Sequence, residues 1–98
     1  MPALPGALAR MTITVFVPQQ LRSYTAGETH VSATGASVDE VLAHINQRFP
    51  GLRFRVVDEQ NRIRQHMRIF VDGERVTDVG ARVAPKGEVH IFGALTGG

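Results

Sequence analysis

Cysteine is absent from these 98 residues, which excludes disulfides and thiolate metal sites. Long apolar runs are also missing, so no segment is a candidate membrane span and no membrane partner is expected. No P-loop, no glycine-rich dinucleotide fingerprint and no Ser/His/Asp grouping occurs, so the chain is not expected to be an enzyme or to bind a cofactor itself. The four histidines, His30, His44, His66 and His90, are scattered without carboxylates at ligand-like spacing. No metal site is expected from them. The cytoplasm is the simplest expected location.

What remains is enough for one compact domain: 43% hydrophobic and 20% charged residues, with no room for two cores. Residues 1–10 are rich in Pro, Gly and Ala, with Arg10 their only charge. They lack the basic start of a secretory signal and are expected to be a disordered extension, with Met11 a second candidate start. Residues 11–92 are expected to form the domain, and 93–98 a flexible tail. Charge is uneven along the chain. Arg48, Arg53, Arg55, Arg62, Arg64 and Arg68 face only Asp58 and Glu59 within one segment, a local excess of four against a net +2 for the chain. Such a segment reads either as an anion or nucleic-acid surface or as a solvated loop whose arginines pair locally or meet a protein. Only Phe49 and Phe54 interleave it, too few aromatics for a recognised RNA motif. The second reading is adopted, and nucleic acid is not expected as a partner.

Residues 12–17 alternate and are rich in β-branched side chains, so they predict a first strand with Ile13, Val15 and Val17 on one face. Pro18 ends it, and a loop through Leu21, Tyr24 and Gly27 leads to a second strand over 28–33. Ser37 and Glu40 make a capping box. Val38, Val41, Leu42, Ile45 and Phe49 then follow at helical spacing. Asp39 and Glu40 near the start and Arg48 near the end suit the helix macrodipole, and Pro50-Gly51 stops the helix. The arginine-rich stretch 52–65 reads as loop with one short strand or turn. Residues 67–71 predict a strand, Asp72-Gly73 a two-residue hairpin turn, and 74–76 its return. Pro85-Lys86-Gly87 fits a type I turn, and 88–92 the last strand.

The order is β-β-α-β-β-β, an α+β mixed sheet with one main helix covering the face formed by Ile13/Val15/Val17, Met67/Ile69/Val71 and Val89/Ile91. This is the β-grasp, ubiquitin-like arrangement. The same alternation turns Phe16, Arg68, Phe70, His90 and Phe92 to the other face. Beyond the last strand come Leu95-Thr96-Gly97-Gly98. By composition alone a Gly-Gly end arises about once in 200 chains, so the domain in front of it has to carry the argument.

On three sets of residues the chain resembles the ubiquitin-like sulfur carriers, the family of the thiamine-pathway carrier, the small subunit of molybdopterin synthase and the cysteine-biosynthesis carrier. They are Leu21-Arg22 with Gly27, Ile69-Phe70-Val71-Asp72-Gly73, and Gly87-Glu88-Val89 followed by Leu95-Thr96-Gly97-Gly98. Asp72 stands where many of that family have Asn, Lys86 where an acidic residue is common, and Phe92-Gly93-Ala94 lacks a frequent Pro. These departures blur the pathway rather than the class.

The resemblance implies a protein cosubstrate. An activating enzyme of the ubiquitin-activating type would use ATP to adenylate the Gly98 carboxylate, and sulfide or a persulfide would displace AMP to leave a thiocarboxylate. A biosynthetic enzyme would then accept the sulfur. Leu95, Thr96 and Gly97 would thread the partner's channel, while Arg68, Phe70, His90 and Phe92 dock on it. With Gly98 already terminal, no trimming is expected. Two other readings stay open: a modifier conjugated to lysines through Gly98, and an interaction or RNA-binding module that ignores the tail. Ala94 and Thr96 stand where ubiquitin carries arginines, which favours the carrier. The sulfur acceptor is left open among thiazole, molybdopterin, cysteine, thiolated tRNA and specialised metabolites.

Overall fold

The computed structural model describes residues 12–93. The expected N-terminal extension and the tail residues Leu95, Thr96, Gly97 and Gly98 lie outside these. Strand β1 is Thr12–Phe16, a 3₁₀ helix follows at Gln19–Thr25, and β2 is His30–Thr34. Helix α1 spans Val38–Arg48 and a one-turn helix α2 spans Leu52–Val56. Strands β3 (Met67–Val71), β4 (Glu74–Val76) and β5 (Glu88–Gly93) complete the chain.

The five strands form one sheet in the order β2-β1-β5-β3-β4. The first and last strands run parallel at its centre, with Val15 opposite Val89 and Phe16 opposite His90. All other neighbours are antiparallel. The expected inward set is buried: Ile13, Val15, Val17, Ile69, Val71, Val89 and Ile91, with Met67 half-buried against them. From α1, Val38, Val41, Leu42 and Ile45 close the core, each at most 1% exposed. Burial of a large aliphatic side chain contributes about 1.5–3 kcal/mol, so this layer is the main source of stability.

Helix α1 starts as its sequence dictates. The Glu40 N–H donates to Ser37 Oγ at 3.2 Å, and Glu40 Oε1 accepts from the Ala36 N–H at 2.9 Å. The carboxylate therefore reaches one residue further back than in the standard capping box. The helix also guards the sheet margin beside it. His44 Nδ1 accepts from the Thr34 N–H, and Arg48 donates to the Ser32 carbonyl. Those groups on edge strand β2 are thereby unavailable to another strand.

Five local expectations are corrected. The loop after Pro18 is a 3₁₀ helix, because Leu21 at 2% and Thr25 at 0% exposure pin it to the core. The Thr25 hydroxyl lies 2.9 Å from the Glu28 carbonyl. Residues 52–65 hold α2, whose Leu52 and Val56 are buried one turn apart, before a short Val57–Ile63 bridge. Asn46 Oδ1 accepts from the Gly51 and Arg53 N–H groups at the start of α2. The turn before β5 has Lys86 at φ 62°, with the Gly87 N–H donating to the Ala84 carbonyl at 2.9 Å. Positive φ at the third position belongs to a type II turn, not type I. Finally, β2 lies at 30–34 rather than 28–33, and Gly93 pairs with Met67 inside β5 where the sequence reading began the tail.

Asp72 and Gly73, at φ 48° and 88°, make the type I′ turn that a two-residue hairpin requires. Asp72 also ties the hairpin to the last strand. Its N–H donates to the Glu88 carbonyl at 2.9 Å, and its Oδ1 accepts from the Glu88 N–H at 2.8 Å.

Candidate functional site

The sheet face away from α1 is built by register. Across β3 and β5, Arg68 lies opposite Phe92 and Phe70 opposite His90. Across β5 and β1, His90 lies opposite Phe16, and across β1 and β2, Phe16 lies opposite His30. Even-numbered side chains of these strands therefore converge on one surface.

They form a continuous ladder of rings. Phe16 stacks on His90 at 4.2 Å between centroids and 14° between planes. It also tilts against His30 at 5.8 Å. His90 and Phe92 are nearly parallel at 6.0 Å, and Phe70 meets Phe92 edge to face at 5.5 Å. Such pairs are worth about 0.5–1.5 kcal/mol beyond simple burial. Phe92 is nevertheless 50% exposed, while Phe16, Phe70 and His90 are half-buried. Contiguous apolar surface of this kind, rimmed by polar groups, marks interaction sites.

The expected docking residues Arg68, Phe70, His90 and Phe92 thus share one face, and no described loop covers Phe92. Sequence reasoning turned Phe16 outward but did not place it in the site, and it missed His30. Alternation from Val31 offered a signal for His30, but the expected strand was set two residues early. Glu88 accompanies the ladder, with Oε1 3.2 Å from His90 Nε2. At the end of β5, a groove of about 430 Å³ runs between Phe16, Pro18, Gln20, Arg22, Phe92 and Gly93. The Arg22 Nε–H donates to the Val17 carbonyl at 3.1 Å and so orders one wall. Gly93, the last described residue, lines this groove.

The arginine segment is largely paired within the fold. Arg53 bridges Asp39 at 2.6 Å and Asn61 at 2.6 Å, and Arg62 lies 3.5 Å from Asp58. Arg48 spends its charge beside the Ser32 carbonyl and the Phe49 ring. Asp58 closes its own turn, accepting from the Arg62 and Gln60 N–H groups at 2.9 Å each. The bond from the Arg62 N–H, foremost, holds its carboxyl below the usual aspartate range. Among the described residues no three His, Asp or Glu side chains are grouped to hold a metal ion. Nor is any helix there long and apolar enough to cross a membrane.

Comparison with known proteins places this geometry in context. The model of the ThiS family matches residues 15–98. The sulfur carrier proteins CysO of Mycobacterium tuberculosis and Mycobacterium bovis are each 29% identical over 93 residues, which is 90% of this chain and 100% of theirs. Among solved structures, CysO in the BexX/CysO complex of Amycolatopsis orientalis superimposes with TM-score 0.82 at 31% identity, over 88% of this chain and 99% of that one. SAMP1 of Haloferax volcanii superimposes with TM-score 0.74 at 22% identity, over 89% of this chain and 99% of that one, a likeness of fold.

Proposed function

The chain belongs to the ThiS family and is a sulfur carrier protein of the ThiS and CysO type; from that premise we propose that Gly98 carries the sulfur as a C-terminal thiocarboxylate. A carboxylate is a poor electrophile because its leaving group would be oxide. Transfer of AMP from ATP to a Gly98 oxygen, with release of pyrophosphate, converts that oxygen into a phosphate-anhydride leaving group. A sulfur nucleophile then attacks the carbonyl carbon and AMP departs. The ATP is bound by an activating enzyme, and this chain acts as its cosubstrate rather than as a catalyst. The reaction belongs to the cytoplasm, where ATP and reduced sulfur are both at hand.

The observation that carries the reading is the last strand. β5 is held between β1 and β3, presents His90 and Phe92 on the open face, and ends at Gly93. The five residues that follow reach at most about 18 Å when extended. A partner that grips the ladder therefore has Gly98 within a short radius, and holding a reacting group in range replaces a bimolecular search. Thr96, Gly97 and Leu95 are the residues that would line the partner's channel. The crystallisation of a related CysO in complex with BexX supports docking on a protein partner, and a second partner is proposed to accept the sulfur.

Removal of Gly98 tests this reading. ATP–pyrophosphate exchange by the cognate activating enzyme should be lost while thermal stability is nearly unchanged, because a glycine has no side chain to bury. Unchanged exchange would refute it.

A further inference from the structure

Arg75, outside the arginine-rich segment, meets two of that segment's arginines at the β3–β4 end of the sheet. A cavity of about 230 Å³ there is lined by Arg64, Arg68 and Arg75 around Ile63, Met67 and Val76, and no Asp or Glu lines it. Two of the three guanidiniums, those of Arg64 and Arg68, are held by neutral groups. The Arg64 Nε–H donates to the Phe54 carbonyl at 2.7 Å, and its guanidinium lies 4.5 Å from the centre of the Phe54 ring. Arg68 donates to the Gln65 and Met67 carbonyls at 2.7 and 2.9 Å. Among the described residues the Arg75 side chain has no hydrogen-bond or ion-pair partner. Carbonyls orient a guanidinium without cancelling its charge, unlike the carboxylates that meet Arg53 and Arg62. Each guanidinium has five N–H donors, so most are left to point at a ligand. Three like charges gathered without a counterion repel one another, and an oxyanion placed among them relieves that repulsion.

We propose that Arg64, Arg68 and Arg75 form an oxyanion-binding groove that takes the carboxylates of an acidic segment on the protein docked against the ring ladder. For its partner this rests on the docking reading above. The groove is continuous with the ladder, because Arg68 lies opposite Phe92 and Arg75 opposite Phe70 in the sheet. Its volume falls below the roughly 300–1,000 Å³ of most small-molecule sites, which favours one or two side chains over a nucleotide. Guanidinium and carboxylate also pair through parallel hydrogen bonds, which gives register as well as attraction.

The full chain, labelled with ¹⁵N, is titrated with a short Asp/Glu-rich peptide, with its Asn/Gln counterpart, and with inorganic phosphate. The acidic peptide should move the Nε–Hε resonances of Arg64, Arg68 and Arg75 well beyond those of Arg22, Arg53 and Arg82, and the neutral peptide should not. The double variant Arg68→Gln/Arg75→Gln should bind the acidic peptide about tenfold or more weakly. Its core resonances should be unchanged. Equal movement of all arginines, or a response to phosphate without one to the acidic peptide, would overturn the proposal. The titration needs neither ATP nor an activating enzyme, so its failure is distinct from failure of the sulfur reaction.

Discussion

His90 lies flat on Phe16, 4.2 Å away between ring centroids, across the parallel pairing that joins the last strand to the first. The contact couples the two ends of the domain on the surface where a partner would bind. It also orders the rings before binding. A side chain already held in place loses little rotamer freedom on docking, a cost otherwise about 0.5–1.5 kcal/mol for each flexible residue. Under the proposed reaction, the ordered ladder would supply affinity and the residues after Gly93 would supply reach.

The two faces of β3 give the first prediction. Phe70→Ala should raise the KM for this protein in the activation reaction about 30-fold, since truncating an aromatic anchor costs about 2 kcal/mol of binding. Ile69→Ala should leave docking largely intact but lower folding stability by about 2–5 kcal/mol through a core cavity. Activation kinetics and urea melts on both variants check this. If Phe70→Ala is the less stable of the two and both activate alike, the faces are reversed.

Asp72 gives the second. Asp72→Ala removes the acceptor for the Glu88 N–H and leaves alanine at φ 48°. A loss of about 1–3 kcal/mol is expected in a urea melt. Asp72→Asn keeps both the acceptor and tolerance of that backbone region, so it should cost clearly less. Equal costs for the two would show that the side-chain bond to β5 contributes nothing.

These residues also show how much was legible. Helix α1 was written plainly, because Ser37, Glu40 and four buried positions at helical spacing agree with one another. The sheet faces followed from strict alternation in β1, β3 and β5. Single-turn elements were not legible: the 3₁₀ helix is fixed by Leu21 and Thr25 reaching the core, and one turn has no periodicity to detect. In α2, Leu52 and Val56 are the buried pair. Phe54 and Arg55 between them read equally well as strand, and the Asn46 cap comes from another helix. The groove arginines were half visible. Arg64 and Arg68 stood in the charged segment, but only the β3–β4 register brings Arg75 to them. The residues proposed to carry the chemistry, Leu95 through Gly98, were singled out by family resemblance and lie outside the described residues.

Asp58 supplies a pH prediction. Its folded carboxyl titrates below the ordinary range, mainly because the charged form accepts the Arg62 N–H. Its hydrogen bonds therefore stabilise the 58–62 turn fully above the unfolded aspartate pKa, and they are lost as pH falls through the lower, folded value. The amide resonances of Gln60 and Arg62 should titrate together, with a midpoint below that of an unfolded peptide of the same sequence. A midpoint at or above the peptide's would contradict the turn geometry.

Sulfur loading at Gly98 can be read by intact mass spectrometry of the full chain after incubation with its activating enzyme, ATP and a sulfide source. A mass gain equal to exchange of one oxygen for sulfur is expected, located by fragmentation at Gly98, dependent on ATP and abolished by deletion of Gly98. An unchanged mass despite active ATP–pyrophosphate exchange, or a product linked through Gly98 to lysines of other proteins in place of the thiocarboxylate, would contradict it.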